Sequence, residues 1–561
     1  MAIGRRTTRR MTRPSGIGAH WIRCLLACAL LLAACTPPAP AVSGTPAAGD
    51  VKKPDGPPAA GGELTFIVNA EPPSFDGHRE TSFAMLHWTA PHYSTLVRLD
   101  PDKLPTVVPD VAERWTISQD GLVYTFNLRR NVKFHDGSQL TSKDVKATYD
   151  KIIFPPQGVP SVRQAAYAVV DKIETPDEYS VVFRLKRPSA SMLANFASPW
   201  NFIYKAELLE KDPRWYEKNI MGTGPFSFGE YVPGSHWVGK KNPNYFVQGK
   251  PYLDGFRAIF VRDPAAGVGA IRGGRAQVEF RGFPPSARDD LSRAMGPQIT
   301  VQESPWVCVL YIAINNEKKP FDDVRVRRAL NLAIDRWGGS RALSQITFVK
   351  GVGAVMRPGS PFAMSDADLQ KVPGWGTDVN AARTEARRLL REAGVTDGTQ
   401  FVLKNRDVKE PYEAVGVFLI DQWKQIGLNV SQVQLETGPY TNDLRGGNYD
   451  VALDFNCDFM DEPDLQLIKF ISSDKSPINY ARYKDPQLDD LYDRQSRETN
   501  PEARKRLVAE FERRAVGEMA YQLPTIWWHR IVPHASNFKG WTITPSHYLN
   551  QDLRDVWLAK P

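Results

Sequence analysis

The chain has 561 residues and a formal net charge of +8, and 42% of its residues are hydrophobic. Six of its 71 basic residues (Arg5, Arg6, Arg9, Arg10, Arg13 and Arg23) lie in the first 35 positions, where there is no acid; the remaining 65 face 63 acidic residues, about +2. The basic balance therefore belongs to the amino terminus and is no argument for nucleic-acid binding, and no later stretch has the ~18 consecutive apolar residues of a membrane span.

In chain order, the basic segment runs into a short apolar stretch, Cys24 to Leu32, and then into Leu32-Ala33-Ala34-Cys35. A basic start, an apolar core too short to span a bilayer and small residues before a cleavage point make a secretory signal, 1–35. The Leu-Ala-Ala-Cys box resembles the bacterial lipobox, whose cysteine is acylated and becomes the new amino terminus. The resemblance implies a lipid on Cys35, and stable anchoring takes more than one acyl chain. Residues 36–62 are rich in Pro, Ala and Gly and have no apolar period. They read as a flexible linker that stands a folded body off the membrane.

The body, about 500 residues, is too long for one core, and two or three domains are expected. Glu63 to Val68 reads as an opening strand. Asp120-Gly121 and Asp136-Gly137 mark turns. Between them, Leu122, Tyr124, Phe126 and Leu128 alternate with Val123, Thr125 and Asn127 in a half-buried strand. Thr141 with Asp144 forms a near capping box for a helix whose buried stripe is Val145, Thr148, Tyr149 and Ile152. A helix starts at Asp323, another covers 379–393 and stops at Gly394, and a third covers 412–426 and stops at Gly427 before the strand Leu428 to Leu435. Helix, glycine and strand in that order give an α/β fold.

Cys24 and Cys28 leave with the signal and Cys35 is used by the lipid, so Cys308 and Cys457 remain. Two buried free thiols are expected there, with a single bridge as the alternative. His78, His87 and His92 are the one loose histidine cluster; their spacing fits no recognised metal pattern, and packing is the plainer reading. There is no Gly-x-Ser-x-Gly and no His-Glu-x-x-His, so no catalytic residue is assigned. No cofactor and no metal are implied.

Several segments carry a resemblance. They are Ala112-Glu113-Arg114-Trp115, Tyr124-Thr125-Phe126-Asn127-Leu128-Arg129, Val132-Lys133-Phe134-His135-Asp136-Gly137, Gly222-Thr223-Gly224-Pro225-Phe226, Asn242-Pro243-Asn244-Tyr245 and Pro320-Phe321-Asp322-Asp323-Val324-Arg325-Val326-Arg327-Arg328-Ala329-Leu330. From about residue 62 to the end the chain resembles extracellular solute-binding protein family 5, the dipeptide, oligopeptide and nickel-binding type. The resemblance implies an α/β, two-lobed, type II periplasmic-binding-protein clamshell with an extra subdomain in lobe I. Lobe I would be 63–314, with the subdomain at about 97–215; lobe II would be 315–525, and 526–561 would return to lobe I. The strands that cross between lobes are expected near 310–316 and 523–528.

The family likeness also implies a binding site. In peptide-binding relatives an Asp in lobe II meets the ligand's amino group, within a segment that corresponds here to Asp454–Asp464. Asp458 is the match, because an aromatic follows it, with Asn456 beside it. The segment departs from the pattern: its Pro falls one residue later, and Asp454-Phe455 replaces Gly-Trp. Trp200 and Trp528, with Trp306 and Trp527, are candidates for stacking on a ligand. Arg357, in a Gly- and Pro-rich stretch, is a candidate for holding a carboxylate. Tyr440, with Arg445, completes the candidate set.

The expected function is capture of a small solute, a peptide or related amine-bearing compound, and its delivery to the membrane permease of an ABC importer. The protein would be a periplasmic, lipid-anchored monomer and not an enzyme. A nickel or haem complex, an opine or an oligosaccharide is the alternative cargo. A lipid-anchored hydrolase and a chaperone- or receptor-like use of the clamshell are the competing classes.

Overall fold

Residues 57–560 are described by the structure, a computed structural model. Cys35, the signal and the linker as far as residue 56 lie outside them. The end of the linker is already tied to the body: the Gly61 N–H donates to the Tyr252 carbonyl and the Gly62 N–H to the Asp254 carboxylate. The strand Glu63–Val68 follows at once. It runs parallel to Gly255–Phe260 on one side and to Val278–Glu279 on the other. A strand covered on both faces needs apolar residues at nearly every position, which accounts for its Leu-Thr-Phe-Ile-Val run.

Two long strands organise the rest. Ile299–Ile314 and Gln522–Ala535 pair antiparallel, from Ile299 opposite Ala535 to Ala313 opposite Gln522, with irregularities between Pro305 and Tyr311. The pairing extends well past 310–316 and 523–528. The half near Ile299 is only half-buried and mixes in Thr300, Gln302, Glu303 and Ser304, so it lacks the apolar run that marks the other half. From this pair one sheet continues both ways. Beyond Gln522–Ala535 come Val278–Glu279, Glu63–Val68, Gly255–Phe260, His236–Lys241 and Phe226–Val232. Beyond Ile299–Ile314 come Val451–Cys457, Gln400–Arg406 and Asn429–Leu435.

Each flank has its own core. Leu64, Phe66, Trp88, Trp237 and Phe256 pack on one; Leu330, Ala386, Leu419, Trp423 and Leu453 pack on the other. The helices expected on that second flank are present as Val324–Leu332, Val379–Glu392 and Ala414–Lys424. Gly394 and Gly427 follow the latter two with positive φ, which a Cβ would strain. A separate antiparallel sheet is formed by Ala112–Ile117, Val123–Leu128, Ser180–Leu185 and Val170–Asp177. Tyr124, Phe126 and Leu128 point to its core, and Thr141 and Asp144 close a full capping box on Ser142–Ile153.

The expectation of free thiols is overturned. Cys308 and Cys457 are bonded to each other. The reason is register: Ile299–Ile314 pairs antiparallel with Val451–Cys457, and the two cysteines are directly opposed in that ladder, with Cα atoms 4.2 Å apart. Their 149-residue separation concealed this. A bridge suits an oxidising compartment outside the cytoplasm.

The bridge closes a long loop in the unfolded chain, so its removal is expected to cost stability, up to about 5 kcal/mol in the loop-entropy picture. A C308S/C457S protein should unfold at lower denaturant than the parent in a urea titration. A non-reduced digest of the parent should yield the linked Cys308–Cys457 peptide by mass spectrometry; two separate thiol peptides would disprove the bridge.

Candidate functional site

In sheets with parallel strands, ligands collect beyond the carboxyl ends of the strands. Three charged residues stand at such ends. Asp458 is the first residue after Val451–Cys457, and Arg406 is the last residue of Gln400–Arg406, with which that strand runs parallel. Arg281 lies two residues past Val278–Glu279, the parallel neighbour of Glu63–Val68. Gly282 then takes φ +110°, and a Cβ there would come within 2.5 Å of the Ile531 carbonyl. Only glycine lets the chain pass so close to the second long strand, and this close pass fixes where Arg281 emerges.

Asp458 is half-buried. Its carboxylate accepts from the Phe459 N–H at 2.7 Å, and no Lys, Arg or His among the described residues lies within ion-pair distance of it. Burial pushes its carboxyl up to about 6, against the pull of the Phe459 N–H and of Arg163 nearby. Arg163 donates to the carbonyls of Gly77 and Glu80, and its guanidinium lies 4.6 Å from the Trp200 ring. Trp200 in turn packs 5.2 Å from Tyr548.

Aromatic rings connect the charged groups. The Arg281 guanidinium lies 5.0 Å from Phe83 and 5.8 Å from Trp306. Trp306 meets Trp528 edge-on at 5.2 Å, Trp528 meets Tyr412 at 6.2 Å, and Arg406 lies over Tyr412 at 4.9 Å and Phe455 at 5.2 Å. Both tryptophans come from the long strands. Trp306 is fixed by an N–H bond to His547 Nδ1, while the Trp528 Nε1, on a side chain only 3% exposed, has no partner. An apolar wall with a few convergent polar groups is the usual build of a small-molecule site.

Of the residues proposed from sequence, Asp458, Trp200 and Trp528 lie in this region. Asn456 is close in sequence, but its amide nitrogen donates to the Gln466 side chain at 2.8 Å. Arg357 is not a free carboxylate receptor: it is buried, and its guanidinium grips Asp461 at 2.7–3.0 Å. The carboxylate it meets belongs to the same acidic segment that supplies Asp458. Tyr440 is corrected too. It is buried among Ala313, Leu444, Tyr449 and Ala452, with its hydroxyl donated to the Leu453 carbonyl, and Arg445 is exposed. Trp527 is committed to the Ala354 carbonyl.

His78, His87 and His92 are fully buried, and each spends a ring nitrogen on a backbone carbonyl, of Phe202, His547 and Phe226 respectively. Burial holds all three down at about 3, so they are neutral.

Arg163, Arg281, Arg406, Tyr412 and Tyr548 were missed. The carboxyl-end rule could have flagged Arg281 and Arg406, had the strand ends been known; Arg163 and Tyr548 sit in irregular chain and carry no local signal. Polar contacts also tie the subdomain sheet to the far flank. The Ser191 hydroxyl donates to Asp464 at 2.5 Å, and the Ala190 N–H donates to the Ser496 carbonyl at 3.0 Å.

Comparison with known proteins gives a consistent result. Residues 106–477, more than half of the chain, match the family "Bacterial extracellular solute-binding proteins, family 5 Middle". The chain is 28% identical over 508 residues to di/tripeptide-binding protein 2 of Pseudomonas aeruginosa strain UCBPP-PA14, covering 86% of this chain and 92% of that protein. It is 28% identical over 477 residues to the glutathione-binding protein GsiB of Salmonella choleraesuis, covering 83% and 88%. Among solved structures it resembles the periplasmic binding protein DppA of Helicobacter pylori in complex with the peptide STSA, with TM-score 0.77, 24% identity, and 90% and 99% of the two chains covered. It also resembles AgaA of A. tumefaciens R10 in complex with agropinic acid, with TM-score 0.77, 23% identity, and 89% and 99% covered. The fold is that of the two-lobed type II periplasmic binding proteins.

Removing one partner of a buried ion pair strands the other, at a cost of about 3 kcal/mol or more. R357Q should therefore lower the urea midpoint, and R357Q/D461N should recover most of the loss. Equal midpoints for R357Q and the parent would show that the pair is not structural.

Proposed function

This chain belongs to family 5 of the bacterial extracellular solute-binding proteins, and from that premise we propose that it captures an amine-bearing solute, a peptide or close relative, and passes it to the membrane permease of an ABC importer. Capture is reversible and makes or breaks no covalent bond. The lobes divide as 63–314 with 526–561, and 315–525, and they hinge on the two long strands. Cys35 carries the lipid that holds the protein at the membrane on the periplasmic side. Among the described residues no helix is long and apolar enough to cross a membrane.

Asp458 carries the reading. A half-buried carboxylate just past a strand end, with no Lys, Arg or His within ion-pair distance among the described residues, is a receptor for a ligand's ammonium group. The relatives named for di- and tripeptides support a peptide. The neighbour solved with agropinic acid marks the second class of cargo.

Three outcomes are expected. D458N should weaken binding of a ligand ammonium by more than ~1.4 kcal/mol, tenfold, in a calorimetric titration; an unchanged affinity removes Asp458 from the site. The pH dependence follows from the raised carboxyl. The charged form dominates only above about 6, so affinity should fall as pH is lowered through 6. The folded state also holds this proton more tightly than the unfolded state. The unliganded protein therefore loses stability between about 4 and about 6, up to about 3 kcal/mol, and D458N should raise its Tm at pH 7. Finally, C35A should lose acyl modification and membrane retention in a cell fractionation. Continued fractionation as an acylated membrane protein would refute the anchor.

A further inference from the structure

The Cys308–Cys457 bond stands at a particular place in the sheet. The ladder between Ile299–Ile314 and Val451–Cys457 begins with Ile314 opposite Val451 and ends with Cys308 opposite Cys457, so the bond closes its last rung. Past that rung both strands leave this pairing. On one side the chain passes directly to Asp458. On the other it runs back through Val307 and Trp306 to Pro305, where the pairing with Gln522–Ala535 is also interrupted. Asp458 and Trp306 thus lie within two residues of the two sulfurs.

The other contacts at this end of the ladder are hydrogen bonds. The Asp458 N–H donates to the Val307 carbonyl at 3.1 Å, the Val307 N–H to the Pro545 carbonyl at 2.7 Å, and the Ser546 hydroxyl to the Asp458 carbonyl at 3.0 Å. Each such bond contributes about 1 kcal/mol net, and strands open first at their ends. Beyond Asp458, Phe459 and Met460 pack in the core of the subdomain sheet and Asp461 is held by Arg357. The segment is therefore fixed on both sides of Asp458, and the bond is its covalent fixed point on the ladder side. The Asp458 carboxylate pulls against this hold. It is half-buried, and its one hydrogen bond is from the Phe459 N–H. Burial pushes it up to about 6, so it gains by turning toward water.

We propose that the Cys308–Cys457 bond positions Asp458 to meet the solute's ammonium group, and that reduction of the bond weakens capture. The proposal rests on the reading of Asp458 as the receptor for that group. A buried carboxylate offsets its desolvation only when it meets the cation in good geometry, so freedom gained at Asp458 lowers affinity. Cys308 is fully buried and Cys457 half-buried, so a reductant approaches from the Cys457 side. A dithiol reduces the bond in two exchanges. Its first thiolate attacks Cys457 Sγ, the S–S bond breaks, and Cys308 leaves as a thiolate and takes up a proton. The second thiolate closes the reagent's own disulfide and releases the Cys457 thiolate, which is protonated in turn. Two electrons pass from the dithiol to the cystine.

The test compares the oxidised protein, the protein reduced with dithiothreitol, and C308S/C457S, all at a temperature where far-UV circular dichroism matches the parent. Thiol labelling read by mass spectrometry gives the state of the two cysteines. Calorimetric titration with Ala-Ala should show about tenfold weaker binding in the reduced protein and in C308S/C457S, and dithiothreitol should have no effect on the double variant. In the D458N background the loss on reduction should vanish, because the residue that the bond positions is already disabled. Hydrogen exchange should quicken on reduction in 305–308 and 455–461 and stay unchanged in Val379–Glu392. Unchanged affinity after reduction overturns the proposal, as does a loss of the same size in D458N. Exchange that quickens evenly through the chain overturns it too, since the bond is then only a general stabiliser. So does a bond that dithiothreitol leaves intact in the folded protein. If C308S/C457S does not fold, the reduced parent decides. If the oxidised protein does not bind Ala-Ala, the peptide reading fails instead, and exchange decides alone: quickening confined to the two segments sustains the positioning of Asp458, and none overturns it.

Discussion

The antiparallel pairing of Ile299–Ile314 with Gln522–Ala535 is the constraint on which the rest depends. It is the seam between two cores that are otherwise built from different parts of the chain. Its backbone ladder is reinforced by the Thr525 hydroxyl, donated to the Leu310 carbonyl, and by the Cys308–Cys457 bond, which ties one long strand to its neighbour on the far side. The pair runs through both flanks, with its irregular stretch between Pro305 and Tyr311. Trp306, from the irregular stretch, and Trp528 form the middle of the ring series between Arg281 and Arg406.

Away from that wall, several buried charges are neutralised by a partner from the same flank. Lys151 meets Asp76 at 2.6 Å, Lys469 meets Asp454, and Arg504 meets Glu462. Burying an ion without a partner costs several kcal/mol, so these pairings are what the fold requires of itself. Asp458, Arg281 and Arg406, half-buried, also have no ion-pair partner among the described residues. Polar contacts also span the flanks, such as Ser191 to Asp464. Contacts of this kind are modest individually.

The acidic segment 454–464 shows how one stretch serves two ends. Asp454 and Glu462 neutralise lysine and arginine inside the far flank, Asp461 holds Arg357, and Asp464 reaches across to Ser191. Asp458 alone is left without a cation. Its neighbours Phe459 and Met460 pack into the core of the subdomain sheet, which anchors the segment from the other side. A sequence reading that treats all these acids alike has no means of separating the one that is free from those that are bound.

The sequence by itself determined what depends on local pattern. The alternation of Tyr124, Phe126 and Leu128, the Thr141–Asp144 cap and the helix-ending Gly394 and Gly427 were each legible, because strand period, capping and positive φ are properties of a few neighbouring residues. The motif around Asp458 marked it as a candidate, and in the structure it has no ion-pair partner among the described residues. The tertiary structure alone decided which residues far apart in the chain face one another. It paired Cys308 with Cys457, spent Arg357 on Asp461, buried Tyr440, and brought Arg281 and Arg406 to one wall from separate strands. The physical reason is that pairing and burial depend on strand register and on which strand ends share an edge of the sheet, and neither is encoded in the spacing of residues along the chain.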